Sequence, residues 1–159
     1  MGDLSQHFSL SEFSVSGSFP HLVKPVPPEY RPNVQELVTT ILEPIRQRWD
    51  SKIRVTSGYR DPILNKAVSG SPTSQHLVGQ AADFTTEDLP GLFKSLIFSK
   101  IIQHGQCILY PDRNFMHIAV QSGSYRRPIF QIHAPRFGLR YQYVLNPNAA
   151  TILLRKVKI

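Results

Sequence analysis

The chain has 159 residues, 41% of them apolar and 18% charged, with a formal net charge of +7. That is enough for one domain with a real core and too little for two. No apolar run approaches the length that spans a bilayer, so stable membrane insertion is excluded.

The start, "MGDLSQHFSLSEF", carries an acid where a secretory leader has positive charge and has no apolar core to its leader region. The expectation is a protein made and kept in a cytoplasm unless lysis or a partner releases it. The next stretch, to residue 32, is rich in serine and proline and reads as an irregular arm wrapped on the domain. From Asn33, the residues Val34, Leu37, Val38, Ile41, Leu42, Ile45 and Trp49 recur at helical spacing, with Asn33 and Glu36 placed as cap and capping-box partner. Pro44 should bend or break this helix.

"KIRVTSGY" reads as a strand entering a turn, and "DPILNKAV" as a short helix capped by Asp61 with Pro62 in first position. "QAADF" reads as a buried strand and "EDLPGLFKSLIF" as a helix interrupted at Pro90 and Gly91. "QCILY" and "FMHIAV" form two strands joined by the turn "PDRN". "RPIFQIH", "LRYQYVL" and "ATILLRKVKI" have strand composition. Strands and helices mix without a βαβ rhythm, which predicts an α+β fold around a central antiparallel sheet flanked by helices. Residues 1–120 read as the core with its N-terminal arm, and 121–159 as a basic, strand-rich extension of the same domain.

Charge is unevenly placed. Arg126, Arg127, Arg136, Arg140, Arg155, Lys156 and Lys158 lie after residue 120, where there is no acidic residue at all, so the first 120 residues are neutral. A basic C-terminal quarter suits an anionic polymer or nucleic acid, with Tyr125, Phe130, Phe137, Tyr141 and Tyr143 available for stacking, or is a solvated face that aids solubility. The single cysteine, Cys107, excludes an intramolecular disulfide and sits in an apolar strand, where it reads as a small core residue.

The candidate chemistry lies in "SPTSQHLVGQAADF". A catalytic zinc ion takes neutral imidazoles and carboxylate oxygens, with one position open to water. His76 and Asp83 offer two such ligands, and a carboxylate in an apolar strand is costly unless it is paired or metal-bound. His117, on another apolar strand, could reach the same ion. Taken singly, His117 also reads as a hydrogen-bonded core histidine, and Arg60 as the salt-bridge partner of Asp61 or Asp83.

The whole string "VTSGYRDPILNKAVSGSPTSQHLVGQAADF" resembles the signature of the zinc D-Ala-D-Ala carboxypeptidase family of peptidoglycan peptidases, in the group with lysostaphin-like enzymes and the hedgehog domain. Ser74, His76, Gly79, Ala81 and Asp83 match its S-x-H-x-x-G-x-A-x-D motif, and Ser57, Gly58, Tyr59 and Arg60 its upstream S-G-Y-R. "FMHIAV" matches the later strand motif loosely, and "FSLSEF" and "LEPIRQRW" extend the likeness over residues 8 to 120.

The resemblance implies Zn²⁺ held by His76, Asp83 and His117, with Arg60 facing a substrate carboxylate, Ser74 and Gln75 touching substrate, and Gly79 permitting the tight loop between ligands. It implies hydrolysis of stem or cross-link peptides containing D-amino acids, and the compact form is similar to peptidases carried by small bacteriophages. One part is missing. Family members place a catalytic carboxylate three residues before the last histidine, here Asn114, or at the end of the preceding strand, here Tyr110. Asp112 is the nearest acid, as base or as a mere cap of the hairpin turn, with Glu87 and Asp88 further off. His104 stands as a possible supporting group. Without a base, the chain would bind wall peptide or a partner and not cut.

Overall fold

The structure is a computed structural model that describes residues 1–99, 102–123, 125–143 and 147–157. The arm runs through three short 3₁₀ turns, Leu10–Phe13, Pro20–Leu22 and Pro28–Tyr30. It is anchored by Phe8 and Phe13, both buried in the core, and by a polar clamp. Glu43, on the helix beneath, is 7% exposed, and its carboxylate accepts from Ser5 Oγ, from the His7 amide and from Gln47 Nε2 while pairing with His7 Nδ1 at 2.6 Å.

Two helices, α1 (Arg31–Leu37) and α2 (Glu43–Trp49), are joined by a π-helical turn, Val38–Leu42. Pro44 lies in the first turn of α2, where the missing N–H matters least, and the wider π ladder precedes it. The helix therefore neither breaks nor ends at Pro44. It also starts earlier than the apolar pattern suggests. Arg31 and Pro32 open it, and Asn33 is not its cap but donates Nδ2 to the Val78 carbonyl at 2.8 Å. The predicted apolar stripe from Val34 to Ile45 is buried along its length.

Six strands form one sheet in the order β1-β2-β4-β3-β5-β6. They are β1 (Arg54–Ser57), β2 (Ala81–Thr85), β3 (His104–Tyr110), β4 (Phe115–Val120), β5 (Ile129–Ala134) and β6 (Leu139–Tyr143). The expected α+β fold is present, and the four strands β1, β2, β4 and β3 are antiparallel throughout. The sheet as a whole is mixed, because β5 joins β3 in parallel before β6 returns antiparallel.

One face of the sheet carries Ala82, Phe84, Cys107, Leu109, Met116, Ile118 and Ile132, all fully buried beneath the helices. Alternation sends the neighbouring residues to the opposite face. Register then sets a lateral row across that face: Ser57 pairs with Asp83, Asp83 with His117, His117 with Ile108, and Ile108 with Gln131.

Helix α3 (Pro62–Ala67) begins as expected, with Asp61 Oδ1 accepting from the Leu64 amide at 2.8 Å. Helix α4 (Leu89–Ser99) is uninterrupted: Pro90 and Gly91 fall in its first turn, and Asp88 accepts from the Gly91 amide at 3.0 Å. The last segment departs most from expectation. Residues 147–156 are helix α5 (Pro147–Lys156), not a strand. Thr151 and Ile152 favour strand by type, while Ala150, Leu154 and Val157, spaced at four and three, are the buried residues of the segment. None of the described helices is long and apolar enough to cross a membrane.

Candidate metal centre

His76 lies in a 3₁₀ turn, Gln75–Val78, just before β2, while Asp83 and His117 are cross-strand partners on β2 and β4. The turn closes through Gly79, whose φ of +72° suits glycine, and a Cβ there would come within 2.9 Å of Val34 Cγ2. Ser74 caps the turn by accepting from the His76 amide. The result is three ligand atoms facing one point. His76 Nε2 lies 3.2 Å from Asp83 Oδ1 and 3.2 Å from His117 Nδ1, and His117 Nδ1 lies 2.9 Å from Asp83 Oδ1.

The other edges of these groups are already committed. His76 Nδ1 faces the Gly58 carbonyl at 2.6 Å, which fixes the proton on Nδ1 in the neutral ring and leaves Nε2 as a bare acceptor. Asp83 Oδ2 accepts from Arg60 Nη2 at 2.6 Å, and Arg60 Nε donates to Ser57 Oγ at 3.0 Å. Two acceptors, His76 Nε2 and Asp83 Oδ1, therefore confront each other in a site where His76 is 1% exposed and Asp83 6%. A cation between them resolves that conflict, and two imidazoles with one carboxylate are a donor set zinc prefers. Among the described residues, His76, Asp83 and His117 are the one group arranged to hold a metal ion.

The electrostatics point the same way. Burial lowers the pKa of His76, overriding the opposing pull of Asp83, so the ring stays neutral and able to ligate. Burial alone would raise Asp83, but its hydrogen bond with His117 helps hold its carboxyl well below the usual range, and it is ionised.

The centre opens into a cleft of about 1120 Å³. The sequence-derived site residues divide around it. Ser74 and Arg60 line the cleft, although Arg60 is spent on Asp83 and Ser57 and is only 12% exposed. Gln75 does not line it: its Nε2 donates to the Val120 carbonyl and to Ser122 Oγ, tying the turn to the end of β4. Asp112 does not stand with the metal row. Its Oδ1 accepts from Arg136 Nε at 2.5 Å and it is absent from the cleft wall, because the β3–β4 turn directs it toward the segment joining β5 to β6. Glu87 and Asp88 likewise lie off the cleft, Asp88 as a helix cap. Asn114 does line it, with a φ of +53° that closes the tight turn, a conformation asparagine tolerates well. Of the cleft-lining residues described, Asp83 is the only carboxylate.

His104 is not near the metal row in role. It is 2% exposed, packs edge-on against Phe130 at 4.6 Å, and among the described residues neither ring nitrogen makes a well-formed hydrogen bond. Cys107 is buried, as expected, with its thiol pKa pushed up by burial.

Two parts of the site escaped the sequence reading. One lies behind the cleft, the Gly58 carbonyl that holds His76 Nδ1, a backbone group that no residue type announces. The other is a wall of Tyr110, Phe115, His133 and Tyr141, half of it from β5 and β6. Alternation along "RPIFQIH" places His133 on the face of Gln131, which was the available signal. Burial and Tyr141 push the Tyr110 phenol up, so it can donate a hydrogen bond and cannot serve as a base. Partial burial and the positive charges of Arg113 and Arg140 hold His133 below its ordinary value, in its neutral form.

The sequence model of the family described as Peptidase M15 matches residues 6–119, which include all three candidate ligands. No curated protein matches the chain.

Proposed function

The chain belongs to the Peptidase M15 family, and from that premise we propose that it is a zinc-dependent peptidase acting on peptidoglycan stem or cross-link peptides that contain D-amino acids. The observation that carries this reading is the convergence of His76 Nε2, Asp83 Oδ1 and His117 Nδ1, within 3.2 Å of one another, at the floor of an open cleft. A zinc ion bound there would acidify its water and polarise a scissile carbonyl. The chain's own residues do the rest. Gly58 and Arg60 orient two of the ligands, and Ser57 steadies Arg60. Arg54 and Arg113, also on the cleft, give it a cationic lining suited to a peptide carrying carboxylates.

A second reading is favoured by one specific observation. With Asp112 held by Arg136, the described cleft residues offer no free carboxylate to take the water's proton. A protein so built would hold wall peptide without cutting it. A nucleic-acid role for the basic segment is less well supported. Phe130 packs inward against Phe93 and His104, and Tyr125 and Tyr141 belong to the cleft, so these three do not line one basic surface. Lys158 lies outside the described residues.

The deciding experiment is mass spectrometry of purified peptidoglycan incubated with the zinc-loaded protein, with and without chelator, beside His76→Ala. New termini that disappear with chelator and in the variant establish the peptidase and identify the bond. No cleavage of several wall types by folded, zinc-loaded protein leaves the binding reading.

A further inference from the structure

The aromatic wall is built across the border of the family-matching segment. Tyr110 and Phe115 lie within residues 6–119, while His133 and Tyr141 come from the β5–β6 hairpin beyond it. Tyr110 stacks on Phe115 with centroids 4.4 Å apart and planes at 14°, and His133 stacks on Tyr141 at 4.6 Å and 22°. The two pairs meet edge to face, Tyr110 against His133 at 5.1 Å. The phenol oxygens of Tyr110 and Tyr141 stand 3.4 Å apart. Two residues along each strand from the row of His117, Ile108 and Gln131, the wall lies roughly 7 Å from the metal row, next to any substrate held there.

Tyr141 is the informative member. It is 45% exposed, and it adopts a φ of +51° inside a strand, a conformation unfavourable for an aromatic residue, where the β5–β6 register is irregular. The hairpin thus holds a large ring open on the cleft where core packing does not require it.

We propose that this wall is a carbohydrate subsite, taking one face of a pyranose ring in an amino-sugar chain whose attached peptide reaches the metal centre. The proposal rests on the peptidoglycan reading above. A pyranose has an apolar C–H face and a polar edge of hydroxyl and amide groups. The wall has the complementary form: flat ring faces edged by two phenol hydroxyls, the His133 ring nitrogens and the exposed Arg113 guanidinium. An aliphatic side chain on the same wall would leave that polar edge stripped of water and unpaired.

The test titrates the full zinc-loaded chain with the β-1,4-linked tetramer of N-acetylglucosamine, following tyrosine fluorescence. Saturable binding is expected, weakened about tenfold by Tyr141→Ala and less than threefold by Tyr141→Phe, which keeps the ring. Tyr141 is exposed, and circular dichroism checks that the alanine variant is folded. No saturable binding to the wild type, equal binding by the alanine variant, or tighter binding of a short oligonucleotide at the same residues would overturn the proposal. Because the titration needs no cleavage, sugar binding by an inactive protein supports the subsite while the peptidase reading fails. Conversely, wild type that cleaves free and sugar-linked stem peptides with equal kcat/KM keeps the peptidase reading and overturns the subsite.

Discussion

Asp83 divides its two oxygens between two tasks: Oδ1 faces both histidines, and Oδ2 accepts from Arg60 Nη2 at 2.6 Å. Arg60 is therefore placed to orient a carboxylate that could ligate a metal, with its guanidinium already committed to Asp83 and Ser57. Its neighbour Ser57 Oγ holds the guanidinium from the other side. Arg60→Ala should weaken zinc binding by about 10–100-fold, the usual effect of removing a group that orients a ligand. Arg60→Lys restores charge without the two-point contact and should recover only part of the loss. Competition with a chromophoric chelator measures both. Unchanged affinity in Arg60→Ala would return the residue to the substrate.

Zinc should bind one per chain and stabilise the fold, since the three ligands come together only in the folded state. At free zinc one hundred times its Kd, the gain is about 2.7 kcal/mol. For a chain of this size that is a rise of roughly 5–10 °C in Tm. Elemental analysis gives the stoichiometry, and thermal melts with and without chelator give the shift. His76→Ala should melt at one temperature in both conditions.

Asp112 and Arg136 form an exposed pair, Arg136 at 68% side-chain exposure, and such pairs contribute about 1 kcal/mol or less. Asp112→Asn should therefore cost little stability and leave any turnover within about twofold. A general base would behave otherwise, its removal costing about 10²–10⁴-fold. A steady-state assay on whichever peptide the wall digests reveal separates the two outcomes.

Gly58 supplies the carbonyl that fixes His76, and its α-carbon lies against the arm. A Cβ at this position would sit 2.3 Å from the Phe13 carbonyl oxygen, a backbone atom that cannot swing aside. Gly58→Ala should displace either the arm or the His76 partner, lowering stability by roughly 1–3 kcal/mol and weakening zinc binding together with it. Urea unfolding of the chelated protein and a zinc titration read the two effects separately. A stable variant with weak zinc binding would show that the arm yields and the carbonyl moves.

The metal row was legible because it is written in residue types: His76 and Asp83 by motif, His117 by its place in an apolar strand, and the facing of Asp83 and His117 by strand alternation. The arm, α3 and β1 to β6 were legible for the same reason, as proline, capping and period-two patterns are local. What failed was decided by tertiary contacts. Helix α5 carries the β-branched pair Thr151 and Ile152, which favour strand, and is helical because Ala150, Leu154 and Val157 have a surface to bury against. The parallel entry of β5 beside β3 has no sequence mark, and neither does the pairing of Asp112 with Arg136, twenty-four residues away.

His104 provides a test of the fold independent of the metal. Its ring is buried with no well-formed hydrogen bond among the described residues, and burial, outweighing a weak backbone contact at Ile102, pushes its pKa down to about 4. The unfolded chain takes up that proton near pH 6.5, the folded chain only near pH 4. Between those values the unfolded state binds more protons, so stability falls as pH falls through this window and is fully present above it. The loss attributable to His104 is on the order of 3 kcal/mol across the whole window. His104→Leu removes the titrating group, keeps the contact with Phe130 apolar, and should flatten this part of the pH dependence without lowering stability at pH 7. Urea denaturation of the chelated protein at pH 7 and pH 4.5, for both chains, isolates the difference, since metal release and the other histidines are common to the two. Parallel losses in wild type and variant would mean that His104 finds a hydrogen-bonding partner and titrates normally within the folded chain.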